Sequence, residues 1–178
     1  MTDPIGEKLV ALLPRLRRYA RSLTGSTTDA DDLVQSALEK ALRSAHQWTP
    51  GTRLDWWMFC IVRSVRVDQL RKRSEAALDA GTVEKSLAPV DGPKVVESRL
   101  MLDAVRRAFP RLSEEQREIL HLVCVDGLAY REAAEILDIP LGTVMSRLSR
   151  ARLALHEALA TRDAAKDAEE DQPMEKGH

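Results

Sequence analysis

Apolar positions recur at i, i+3 and i+4 along most of the chain. Ile5, Leu9, Leu12, Leu13, Leu16, Tyr19, Ala20 and Leu23 fall on one helical face. Gly25 follows as a C-cap. Thr28, with Asp31 three residues on, predicts the start of a second helix, with Thr28 as N-cap and the acid in its first turn. Its stripe is Ala30, Leu33, Val34, Ala37, Leu38, Ala41, Leu42 and Ala45. The segment 48–52 reads as a loop from its Pro50-Gly51 pair. Thr52, three before Asp55, predicts a third cap. Leu54, Trp57, Met58, Ile61, Val62 and Val65 then form a stripe that runs into Arg71, Lys72 and Arg73.

Residues 74–98 change character. Alanine, Gly81, Thr82, Pro89, Gly92 and Pro93 dominate, and the segment predicts a flexible acidic linker. Helical periodicity returns over Val95–Phe109 and stops at Pro110. Ser113 and Gln116 have capping-box spacing and launch Ile119, Leu120 and Val123, with an end expected at Asp126-Gly127. A short helix is predicted from Tyr130 to Leu137, with Ala133, Ala134 and Leu137 inward. Ile139 is pushed to an extended conformation by the proline that follows it, and Pro140 suits the first turn of the last helix. That helix is expected to reach about Leu159. No stretch alternates with period two. The pattern therefore predicts an all-α protein of two small helical domains, 1–73 and 99–160, joined by the linker 74–98. An acidic disordered tail is expected over 161–178.

Charge changes this picture. The chain has 178 residues, 27 Lys and Arg against 28 Asp and Glu, and a net charge of −1. That total argues against a nucleic-acid partner, but it hides a segregation. Residues 1–73 are net +5, 74–98 net −3, 99–160 neutral, and 161–178 net −3. The rings are segregated too: Trp48, Trp56, Trp57 and Phe59 are four of the seven.

Several classes are excluded. No apolar run approaches the ~18 residues of a membrane span. The first residues lack the basic start and cleavage site of a secretory signal, so a cytoplasmic protein without membrane insertion is expected. Cys60 and Cys124 make no disulfide framework and read as buried thiols. The four histidines show no ligand spacing, so no metal is expected. No phosphate-binding glycine loop or nucleophile elbow occurs, and neither an enzyme nor a cofactor is predicted.

A short helix, a tight turn and a longer basic helix make a helix-turn-helix pattern. On a helical wheel Val144, Leu148, Ala151 and Leu155 form a buried seam. Gly142, Ser146, Ser149, Arg150 and Leu153 lie opposite, with Arg147 and Arg152 on the flanks. No acid occurs over 142–156. Small polar groups would let the backbone approach base edges, Arg150 could grip a guanine, and the flanking arginines could hold phosphates. Tyr130 and Arg131 could meet phosphate at the start of the first helix or be a packed ring and a solvated charge.

Trp48, Trp56, Trp57 and Phe59 stand just before Arg63, Arg66, Arg71, Lys72 and Arg73. Rings beside cations are what single-stranded nucleic acid needs: bases stack and the backbone follows the charge. Trp57 lies on the apolar stripe and reads as core. Trp48 and Trp56 stay open between stacking and packing. Arg71–Arg73 stay open between DNA contact and a solvated helix end.

Two stretches together resemble the extracytoplasmic-function (ECF) group of sigma-70 family RNA polymerase sigma factors. They are LPRLRRYARSLTGSTTDADDLVQSALEKAL (13–42), continued by WTPGTRLDWWMFCIVRSVRVDQLRKR (48–73), and LSEEQREILHLVCVDGLAYREAAEILDIPLGTVMSRLSRARLAL (112–155). They cover well over half the chain, in order. The resemblance implies a first domain like sigma region 2, which binds the clamp helices of core RNA polymerase and melts the −10 element. It places Asp31, Asp32, Leu33, Gln35 and Glu39 against the clamp. It places Trp48, Arg53, Trp56, Arg63, Ser64, Arg66, Arg71, Lys72 and Arg73 along single-stranded −10 DNA. The second domain would resemble region 4 and read duplex at −35 through Tyr130, Arg131, Thr143, Met145, Ser146, Arg147, Ser149, Arg150 and Arg152, with its first helices on the polymerase flap. An anti-sigma protein is an implied partner, and an alternative, stress-related regulon an implied role. Ser36, Ser64 and Met145 depart from residues common in the family.

Two rival readings stand beside the promoter-specificity subunit. One is an ordinary helix-turn-helix regulator, which explains 112–155 but not DADDLVQ or the aromatic–basic cluster. The other is a sigma-like decoy that sequesters an anti-sigma protein. A decoy need not keep Arg147, Arg150 and Arg152 on a recognition helix.

Overall fold

The computed structural model describes the backbone of residues 4–80 and 104–170. All its regular elements are helical. α1 spans Pro4–Thr24, α2 Thr27–Arg43 and α3 Leu54–Ala80, with a 3-10 turn at Ala45–Gln47. After a helical stretch at 104–108 and a 3-10 turn at Phe109–Arg111 come α4 (Glu114–Leu120), α5 (Tyr130–Leu137) and α6 (Leu141–Glu170).

Local chemistry explains the boundaries. Gly25 takes a φ of +71°, which closes α1 at little cost to a residue without a Cβ. Ser26, not Thr28, caps α2: its hydroxyl accepts the Asp29 amide at 3.3 Å, and the first-turn acid is Asp29. Thr52 does not cap α3 either; its hydroxyl donates to the Thr49 carbonyl at 2.7 Å and closes the loop. The Ser113–Gln116 box forms in both directions.

α3 continues through Ala80, into the segment read as linker, because 74–80 are helix formers and the first breaker is Gly81. The backbone of α6 likewise runs to Glu170, past the expected end at Leu159, through an Ala/Asp/Glu/Lys-rich stretch. The rest of the linker, 81–98, and the tail residues 171–178 lie outside the described residues, as do 95–103 of the helix expected before Pro110.

α4 does not end cleanly. It widens into a π turn at His121–Val125, where the Asp126 amide donates to the His121 carbonyl at 2.9 Å. The wider turn keeps His121 and Leu122 inside while Cys124 and Val125 face out.

The two domains are packed on each other. α1, α2 and α3 bury Leu16, Tyr19, Leu23, Leu33, Met58, Phe59 and Val62. α4, α5 and α6 bury Ile119, Leu122, Ile136, Val144, Leu148 and Ala151. All belong to one continuous apolar cluster. Tyr19 marks the seam. It meets Phe59 edge-on at 4.9 Å and lies 5.6 Å from the His121 ring. The second half of α4, Arg117–Leu120, is enclosed by its neighbours, so even Arg117 and Glu118 are buried.

Candidate nucleic-acid interface

The helix-turn-helix takes the expected form. Asp138 closes α5 in a left-handed conformation, with φ 51°. The Pro140 carbonyl accepts the amides of Thr143 and Val144, starting α6. Val144, Leu148 and Ala151 are buried against α4 and α5, Leu155 is partly buried, and Gly142, Met145, Ser146, Ser149, Arg150, Arg152 and Leu153 are exposed. Thr143 is half-buried, and its carbonyl accepts the Ser146 hydroxyl at 3.1 Å. Arg150 folds back toward the Ser146 carbonyl at 3.4 Å. The Arg152 guanidinium lies 4.0 Å from the Cys124 sulfur, and Cys124 is exposed rather than buried. Tyr130 and Arg131 are exposed at the start of α5.

The acid-free character of 142–156 does not survive in space. Glu115 of α4 stands 3.6 Å from Arg147. Together with Ser113, Gln116 and Arg150 the two line a shallow recess of about 200 Å³.

The basic face of the first domain is arranged differently. Arg66 is buried and makes a two-pronged contact with Glu114 of α4, at 2.9 and 2.8 Å. Arg63 lies 3.3 Å from the Glu118 carboxylate, without hydrogen-bond alignment. The Tyr19 hydroxyl donates to the same Glu118 oxygen at 2.8 Å. Burial pushes the Glu118 carboxyl above its ordinary range, although Tyr19 and Arg63 oppose this. Burial, then Glu118, pushes the Tyr19 hydroxyl well up. Arg53 pairs with Asp55 and with Glu132 of α5. Asp55 is held far below the usual carboxylate range, chiefly by Arg53 and also by Arg15.

Two further contacts tie the domains, and neither was visible in the sequence. Arg15 reaches Asp55 and Asp126, each at 2.7 Å. Arg117 lies within the interface and donates to the carbonyls of Ser22 (2.7 Å) and Leu23 (3.4 Å) at the end of α1, and to Leu112 (2.6 Å). A cation there satisfies the orphan carbonyls of a helix C-terminus. The only sequence signal was a run, Arg117-Glu118 to His121, with charges inside an otherwise apolar stretch.

The remaining residues scatter. Phe59 is fully buried against Tyr19, so it is core and not a stacking platform. Trp57 is only partly buried, with Met58 taking the inward position expected of it. Trp48 and Trp56 are half-buried with their indole N–H groups enclosed and unpaired, and Lys8 sits 5.3 Å over the Trp48 ring. Ser64 is exposed and accepts from Lys40 at 2.8 Å. Arg71 contacts Asp68 and Glu75, and Lys72 and Arg73 are exposed.

On α2, Asp31, Asp32, Gln35 and Glu39 are exposed, Asp31 beside Arg17 and Glu39 beside Arg43. Leu33 is not with them. It is fully buried in the bundle, where its place on the apolar stripe put it, so it presents no surface to a partner here.

A three-helix unit with a basic, aromatic third helix, packed on a helix-turn-helix, defines an all-helical protein of the two-domain sigma type. Residues 9–63 match the family model "Sigma2 domain of PhyR", and residues 102–155 match "Sigma-70, region 4". The chain is 38% identical over 94% of its length to the ECF RNA polymerase sigma factor EcfG of Rhodopseudomonas palustris, covering 91% of that protein. It is 31% identical over 71% of its length to the RNA polymerase sigma-E factor of Escherichia coli, covering 72% of it. Its fold matches the sigma factor RpoE of Bartonella quintana, solved with the anti-sigma factor NepR. There the TM-score is 0.77 and the identity 34%, over 89% of this chain and 98% of that one.

The chain therefore belongs to the ECF group of the sigma-70 family, whose members are transcription initiation factors and not enzymes. Among the described residues no helix is long and apolar enough to cross a membrane.

Proposed function

We propose that the chain is a promoter-specificity subunit. It binds core RNA polymerase, reads duplex DNA at −35 with α6, and holds the melted −10 strand with the first domain. The exposed face of α6 carries this reading. Met145, Ser146, Ser149 and Arg150 are exposed, on a helix anchored by a fully buried seam. That is the geometry base readout requires. Arg147, Arg152, Tyr130 and Arg131 flank that face and suit phosphate contacts, and Thr143 fixes Ser146. On the first domain, Trp48, Arg53, Trp56, Arg63, Ser64, Arg66, Arg71, Lys72 and Arg73 form the strand-binding set, with Trp48 and Trp56 offering partly open rings. Asp31, Asp32, Gln35 and Glu39 form an exposed acidic strip for the polymerase clamp, and the α4 side of the second domain meets the flap. An anti-sigma protein related to NepR is the fitting regulator, since the similar Bartonella factor was solved with NepR.

In vitro transcription tests this directly. Core polymerase supplemented with the chain should initiate at discrete sites in a genomic fragment library. Absence of specific initiation with every core enzyme tried would refute the proposal. Tight duplex binding without polymerase would favour the ordinary regulator instead.

A further inference from the structure

Three of the five first-domain arginines that the promoter reading gives to the −10 strand touch acids of the second domain. Arg66 grips Glu114, Arg63 faces Glu118, and Arg53 meets Glu132. The pairing has a register. Arg63 and Arg66 lie one turn apart on α3, and Glu118 and Glu114 lie one turn apart on α4. The two helices therefore meet with their charged rows matched in opposite order. The Arg66–Glu114 contact is two-pronged, the geometry an arginine also uses on a phosphate. By contrast, the hydrogen bonds and ion pair described for Ser146, Arg150 and Arg147 on α6 all go to partners within the second domain.

We propose that Glu114, Glu118 and Glu132 act as an internal substitute for a nucleic-acid backbone, so that the second domain masks the strand-binding face of the first. This deepens the proposed function and rests on it. Domain packing and capture of a single strand then compete for the same guanidinium groups. By linkage, whatever opens the domains raises strand affinity, and a bound strand favours the open form to the same degree. Arg117 is the fastener. It touches none of the three arginines through hydrogen bonds, yet it holds α4 to the end of α1. The device leaves the duplex reader exposed while the strand binder is closed.

The test uses the full chain, small-angle X-ray scattering for its radius of gyration, and anisotropy of a labelled 20-nucleotide single-stranded DNA pool of random sequence. In Glu114→Gln/Glu118→Gln/Glu132→Gln the side-chain shapes are kept and the charges removed. The radius of gyration should rise, and strand affinity should rise about tenfold, as expected when the competent open form is roughly one molecule in ten. Arg117→Ala should shift both readouts the same way with every acid and every strand-binding arginine still present. A control, Glu115→Gln/Asp138→Asn, removes exposed charges of the same domain that make no described contact with the first, and should change neither readout by more than about twofold.

An extended wild-type chain, or a triple variant matching the control, overturns the proposal. A chain that opens without binding the strand more tightly also overturns the masking claim. In that case the closed packing stands and the −10 assignment of these arginines fails, which separates the two failures.

Discussion

The two surfaces proposed to meet DNA are built from the same residue types and held in opposite states. On α6, Arg150 and Arg152 project from a helix whose back is fully buried, and their nearest polar neighbours are on their own domain. On α3, Arg63 and Arg66 are drawn into the domain seam, and Arg66 is only 7% exposed. The contrast follows from which acids lie within reach. The row opposite α6 holds one, Glu115, itself well exposed. The row opposite α3 holds Glu114 and Glu118 in register, under the cover of α1. An arginine is thus available or withheld by what the partner helix carries, not by its own sequence neighbourhood. The charge segregation along the chain, +5 in the first domain, overstates the positive surface that remains.

The largest way to break the contrast is at Arg117. Burial makes this cation less favourable than usual, and its contacts with Ser22, Leu23 and Leu112 offset that cost. Arg117→Ala parts the domains, worth about 1.4 kcal/mol when roughly one molecule in ten is already open, and also removes the donor to Leu112 within its own domain, so it should cost the full chain about 3 kcal/mol in urea unfolding. Arg111→Ala, at an exposed site nearby, should stay within about 0.5 kcal/mol. Equal effects from the two would mean that the seam does not hold the domains.

A smaller effect sharpens the open side. Arg150→Ala should relax base preference at one −35 position by ~1–3 kcal/mol. Arg147→Ala should weaken every promoter alike and reduce the salt slope by about one. The Glu115 contact does not protect Arg147 from this loss, because exposed pairs are worth under about 1 kcal/mol and a phosphate competes well. Selections of bound sequences from a randomised −35 pool read both outcomes. Indistinguishable variants would mean that the two arginines do not face base and backbone respectively.

What could be read in the sequence was local. The capping box at Ser113 and Gln116, the span of α5 and the seam Val144–Leu148–Ala151 follow from periodicity and short-range hydrogen bonding. Leu33 is instructive: its place on the stripe put it inside, and only the family analogy put it at the clamp. The errors in capping are also local. Thr28 and Ser26 compete for one role, and the serine directly after a left-handed Gly25 wins because the chain turns there. The α3–α4 pairing had no such signature. Arg66 and Glu114 are 48 positions apart and Arg15 and Asp126 are 111 apart. No periodicity reports which charged rows will meet once two amphipathic units close on each other. The π turn after α4 was equally hidden, since nothing in HLVCV distinguishes it from an ordinary last turn.

The smallest effect distinguishes charges that hold the domains together from charges internal to one of them. Burial pushes the Asp126 carboxyl up, but the contacts from His121 and Arg15 outweigh it and hold it below its ordinary 3.8. The packed form therefore binds fewer protons at this group than the open chain does. Its stabilisation is complete above 3.8 and is lost as pH falls through the depressed value. Asp55 is depressed too, but its principal partners, Arg53 and Arg15, are on its own domain. Asp126→Asn should cost about 1 kcal/mol at neutral pH and flatten part of the stability slope below 3.8. In an Arg117→Ala background the domains are already parted. There Asp126→Asn should lose the share of its effect that comes from Arg15 and keep the share from His121 on its own domain, about half, while Asp55→Asn should keep its full effect. Urea midpoints of the six chains, the parent, Asp126→Asn and Asp55→Asn each with and without Arg117→Ala, measured between pH 2 and pH 6, read this. If both aspartates respond to Arg117→Ala equally, the Arg15–Asp126 contact does not depend on domain packing, and the difference between the two faces must come from elsewhere.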